Sequence, residues 1–179
     1  DRYIKGDGIS TPDSVVKYDR NDVIAFYQGL EPRLSFRYLL PDNSSIKAGY
    51  AYNYQYVHLV TLSAVSLPTD IWFPTTDQAK PEQGFQTSIG YFRNFDKDRY
   101  EASVEVYYKG MKNLIEFKEG ALPGDNVNDN TDNLLVYGDG WAYGAEFFLK
   151  KTEGAFTGWI GYTWAKTERR FPDINEGNV

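Results

Sequence analysis

Apolar and polar residues alternate with period two in paired stretches of this chain. A few turn-forming residues join the two members of each pair, and much longer connections join one pair to the next. Strand side chains point to opposite faces at each step, so every such stretch is a ribbon with one greasy and one wet side. In the middle pair, Phe85, Thr87, Ile89 and Tyr91 alternate with Gln86, Ser88, Gly90 and Phe92 before the turn Asp96, Lys97, Asp98. Tyr100, Ala102, Val104, Val106 and Tyr108 return on one face, with Glu101, Ser103, Glu105, Tyr107 and Lys109 on the other. In the first pair, Leu34, Phe36, Tyr38 and Leu40 oppose Arg33, Ser35 and Arg37. Pro41 to Ser44 supplies the turn, and Ile46, Ala48, Tyr50, Tyr52 and Tyr54 follow against Lys47, Gly49, Asn53 and Gln55. In the last pair, Tyr143, Ala145, Phe147 and Leu149 oppose Gly144, Glu146 and Lys150. After Thr152, Glu153, Gly154, the residues Gly158, Ile160, Tyr162 and Trp164 oppose Thr157, Gly161 and Thr163.

Short turns at one end and long loops at the other are the pattern of an outer-membrane barrel wall, with turns on the periplasmic side and loops outside. The expected fold class is all-β: an antiparallel meander of hairpins forming part of a transmembrane β-barrel wall. Strands are predicted at about 31–40, 45–56, 82–94, 99–110, 138–151 and 155–169, each near the ten residues that a tilted strand needs to cross a bilayer. Six strands do not close a membrane barrel, whose smallest closed forms have about eight. Residues 1–179 therefore read as a fragment of a longer barrel protein. The start at Asp1, the lack of a signal peptide and a sole Met at position 111 agree with that reading.

Composition sharpens the membrane argument. Fifteen Tyr, 11 Phe and 4 Trp make 17% of the chain, and aromatic rings are enriched where a wall meets the bilayer surface. Tyr38, Tyr91, Tyr100, Phe147 and Phe156 fall near the short turns; Tyr54, Tyr56, Phe85, Tyr108, Trp141 and Trp164 fall near the long loops. Mean hydropathy is −0.55 and no run of about 18 apolar residues exists, which excludes a membrane helix but not a barrel, since barrel strands show only alternate residues to lipid. A net charge of −6 without a basic stripe argues against a nucleic-acid partner. Zero Cys removes disulfides, thiolate metal sites and a cysteine nucleophile.

The long connections, 57–80 and 110–138, exceed the lengths at which structureless loops are common, so ligand capture is the natural reason for them. Trp72, Tyr56 and His58 are the ligand-contact candidates there, although an aromatic ring in a folded loop more often serves packing. Asp125 to Asn133 is rich in oxygen ligands but fails the calcium-loop spacing and reads as a solvated loop. Glu101 and Glu105 share a face, but about 13 Å of strand parts them, too far for an acid/base pair. With Arg33, Arg37, Lys47, Lys109, Glu146 and Lys150 they read as a charged lining that keeps a wide lumen wet and contacts an inserted plug. His58, the one histidine, supports neither a His-rich metal site nor a Ser-His-Asp set. Gly138, Gly140 and Gly144 miss the dinucleotide fingerprint and are expected to start a strand from a tight loop. No catalytic residue, metal site or cofactor is expected.

Several segments resemble one family. EPRLSFRY (31–38), SSIKAGYAYNYQY (44–56), LPTDIW (67–72), GYFRNF (90–95), YEASVEVYYKGMKN (100–113), GDGWAYGAEFFLKK (138–151) and TGWIGYTWAKTER (157–169) are similar, in order, to TonB-dependent receptors of the Gram-negative outer membrane, particularly those with a carboxypeptidase-regulatory-like domain. The resemblance implies a 22-strand barrel with a plug in its lumen, importing a nutrient bound outside when TonB pulls on the plug. Partners implied are outer-membrane lipid, a nutrient ligand and the TonB complex acting through a plug not visible in this sequence. Two rivals stand beside it: a soluble β-sandwich module binding a carbohydrate or other ligand, and a small enzyme on an all-β scaffold.

Overall fold

The computed structural model describes residues 2–5, 14–17, 23, 25–60, 71–120, 131–174 and 177. Among the described residues there are ten strands: β1 (Arg2–Lys5), β2 (Ser14–Lys17), β3 (Arg33–Leu40), β4 (Ser44–Gln55), β5 (Val57–Val60), β6 (Ile71–Pro74), β7 (Glu82–Phe95), β8 (Tyr100–Phe117), β9 (Leu135–Lys151) and β10 (Gly158–Arg170). The only helical turn among the described residues is a 3-10 turn, Thr131–Leu134. Six strands form one antiparallel sheet in the order β10-β9-β8-β7-β4-β3, a meander in which each neighbour in the sheet is the next long strand in the chain. β1 pairs with β2 and β5 pairs with β6 in two small separate sheets.

The short turns pass through the left-handed region, mostly at Asn and Asp, with Lys97 held there between two aspartates. Asn43 has φ 54°, and Asp96, Lys97 and Asp98 follow one another at φ 53°, 57° and 64°. Left-handed backbone costs an L-residue roughly 1–2 kcal/mol, less for Asn and Asp, whose side chains bond locally. Here Arg99 donates from its backbone N to Asp96 O (3.1 Å) and from its guanidinium to Asp96 Oδ2 (3.0 Å), which holds the turn closed. Adjacent turns are stitched as well. Thr152 N donates to Arg99 O at 2.9 Å, and Asn94 N donates to Asn43 O at 3.0 Å.

At the other end the strands outrun the expectation. β8 has 18 residues and β9 has 17, well beyond the roughly ten that suffice to cross a bilayer. A bulge between Met111 and Leu114, with Asn113 at φ 57°, shifts the alternation there and hides the continuing strand from period-two counting. Gly138, Gly140 and Gly144 consequently lie inside β9 rather than at its start. Their role is close packing: a Cβ on Gly144 would stand 2.7 Å from Trp164 O and 2.8 Å from the Tyr107 hydroxyl. The first long connection also has structure, the β5–β6 hairpin. Asp125 to Asn130 lies outside the described residues; the rest of that acidic stretch enters the 3-10 turn.

The large sheet has no interior of its own. Directly opposed residues in an antiparallel pair share a face, so the register carries one apolar surface across six strands: Phe36, Ala48, Ile89, Val106, Ala145 and Trp164 form one such row. Ile89 remains 53% exposed, Val104 41% and Trp164 53%. Burying each such side chain would contribute roughly 1.5–3 kcal/mol, so a water-soluble sheet would cover them. A sandwich needs a second sheet over this face, and none lies there among the described residues. The described buried apolar cluster sits at the long-loop end, where Val60, Phe117 and Leu135 pack with Phe73, Ile115, Leu134 and Tyr137.

Candidate functional site

The outer face carries its rings in two bands. Toward the long loops, Phe85 lies 5.7 Å from Tyr108 and Tyr143 lies 5.9 Å from Trp164, centroid to centroid. Charges follow immediately beyond: Lys166 Nζ meets Glu168 Oε1 at 2.6 Å, and Trp141 Nε1 donates to Glu168 Oε2 at 2.9 Å. Toward the short turns, Phe95 and Tyr100 stack at 5.2 Å with Lys151 Nζ 5.9 Å from the Tyr100 ring. Between the bands lie Ala48, Ile89, Val104, Val106, Ala145 and Phe147. Aromatic girdles flanking an apolar belt are what a lipid bilayer asks of a wall.

The inner face is charged, and its register holds a feature that linear reading misses. A single cross-strand row runs Arg37, Lys47, Gly90, Glu105, Glu146, Thr163. Two cations stand side by side on β3 and β4, and two carboxylates side by side on β8 and β9, with a glycine between. Directly opposed like charges lie about 4.5–5.5 Å apart at Cβ and destabilise the sheet. None of the four makes an ion pair among the described residues, whereas Glu101, four residues nearer the turns, reaches Lys150 at 4.0 Å. Lys47 Nζ instead lies 4.0 Å from the Phe92 ring centroid. The sequence pairs Glu101 with Glu105 along one strand; the structure pairs Glu105 with Glu146 across two. The signal that would reveal this is the β8–β9 register, which no short turn fixes.

At the long-loop end, segments distant in sequence are tied through Thr76. Tyr27 donates its hydroxyl to Thr76 O (2.7 Å), Thr76 Oγ1 donates to Asp132 Oδ2 (2.7 Å), and Ala79 N donates to Thr76 Oγ1 (3.0 Å). Burial raises the Tyr27 phenol above its ordinary range, with the Asp77 and Asp132 charges adding to it. The three ligand-contact candidates separate here. Trp72 is 68% exposed on β6 opposite Leu59. Tyr56 is exposed and stacks on Tyr54 at 6.1 Å. His58 is 2% exposed, with Nδ1 3.6 Å from Glu82 Oε1 and both ring nitrogens buried without a hydrogen-bond partner. Trp72 and Tyr56 are open to an arriving molecule, while His58 is enclosed in the long-loop end, here called the cap. Among the described residues no three metal-ligating side chains gather.

A six-strand antiparallel wall with one lipid-suited face and one hydrated face places the chain among the outer-membrane β-barrel proteins. The model for the TonB dependent receptor-like β-barrel matches residues 5–179, and the chain belongs to that family. Its members are outer-membrane transport receptors of Gram-negative bacteria, and the family is not one of enzymes. No curated protein and no solved structure matches the chain.

Proposed function

We propose that residues 1–179 are part of the barrel wall of an active importer in the Gram-negative outer membrane, of the subgroup with a carboxypeptidase-regulatory-like domain. Its long-loop end faces outward and meets a bulky nutrient, with Trp72 and Tyr56 as contacts. Further strands complete the cylinder along β3 and β10, and a plug in the lumen transmits energy from TonB. The observation carrying this reading is the continuous apolar face, left exposed between two aromatic bands while the opposite face is charged. The row Arg37, Lys47, Glu105, Glu146 supports the plug: paired like charges on each half are relieved by an inserted body presenting the opposite sign to each. Spin labels tested along β8 in the lipid-reconstituted receptor check it. Labels at Val104 and Val106 are expected to collide with oxygen dissolved in lipid, and labels at Ser103 and Glu105 with a water-soluble relaxer. Loss of that two-residue period would overturn the wall.

A further inference from the structure

At the short-turn rim of the outer face lies a groove of ≈ 330 Å³ whose lining includes Leu149, Ile160, Phe156, Tyr100 and Lys151, with Phe156 85% exposed beside it. Lys151 is the only charged side chain on that lining. Arg93 stands near it: register puts Arg93 on the outer face opposite Ala102 of β8, and Lys151 opposite Tyr100 of β8 from the other side. The two cations thus flank β8, diagonally across two strand spacings and two residues of rise, about 12 Å apart at Cα, within reach of their long side chains. Neither makes an ion pair among the described residues.

The opposite rim differs. There Lys166 is neutralised by Glu168, which also accepts from Trp141. Two uncompensated cations beside an apolar groove on a lipid-facing surface call for a ligand with a hydrocarbon tail and an anionic head. We infer that this rim is a binding site for an anionic phospholipid of the periplasmic leaflet. An acyl chain lies between Leu149 and Ile160, and the phosphate sits over Tyr100 between Lys151 and Arg93. Charge-assisted bonds from an ammonium and a guanidinium hold a phosphate more firmly than water does at a membrane surface.

The inference rests on the barrel-wall reading, so its test uses the intact lipid-extracted receptor and native mass spectrometry during titration with phosphatidylglycerol. One phosphatidylglycerol is expected to stay bound, with affinity falling about fivefold for each of Lys151→Gln and Arg93→Gln and unchanged in Lys151→Arg. Phosphatidylcholine, which bears no net charge, is expected to bind less tightly. Unchanged retention in the Lys151→Gln, Arg93→Gln double variant would overturn the site. So would an equal loss in Lys166→Gln, which would mean attraction by general surface charge. Intact spin-label periodicity alongside either result would show that the wall stands and the lipid site alone has failed.

Discussion

The wall between the two aromatic bands and the cap at the long-loop end are built on opposite principles. In the wall, regular pairing satisfies the backbone while the side chains of both faces are left for something else to cover. In the cap, pairing is short and irregular, but Val60, Phe117 and Leu135 enclose a small interior and Thr76 ties three segments together. The wall draws stability from its surroundings; the cap supplies its own.

Substitutions can break that contrast. Phe117→Ala should have the largest effect, removing about 3–5 kcal/mol from the cap. Hydrogen exchange should accelerate across residues 71–80 and 131–137 while the barrel's denaturation midpoint in lipid stays put; a shifted midpoint would mean that cap and wall form one cooperative unit. Val104→Arg should cost the wall about 2–4 kcal/mol in vesicle unfolding, against under about 1 kcal/mol for Ser103→Arg on the inner face. Equal costs would erase the distinction between faces. Gly144→Val should overpack the inner face against Tyr107 by about 1–3 kcal/mol, read in the same unfolding experiment, and Gly144→Ala less. The smallest effect is on pH. The Tyr27 phenol holds its proton more tightly when folded, so its contribution is complete below about pH 10 and erodes as pH rises through its raised folded value. Subtilisin nicking within 71–80 should therefore increase above that pH, and Tyr27→Phe should remove the increase.

Much of the wall was legible because its physics is local. Alternation in Tyr100–Tyr108 and in Tyr143–Leu149 reports which side chains share the apolar face, and Asp96 and Asp98 announce a turn because aspartate tolerates left-handed backbone. The cap was hidden because Asn113 changes the phase of β8, and counting stops where phase is lost. The charged row was hidden for a different reason. Glu105 and Glu146 are 41 positions apart in sequence, and only a register set by the whole sheet makes them neighbours. Likewise, nothing near His58 in sequence tells that it is enclosed while Trp72, its near neighbour on the hairpin, is open.

The two outermost strands, Arg33–Leu40 and Gly158–Arg170, have no described strand beyond them, and each presents a ladder of amide donors and carbonyl acceptors along its free side. Such margins are adhesive, ready to template any passing extended chain. In water, the chain should add strands edge to edge into sheets of indefinite length unless something masks both margins.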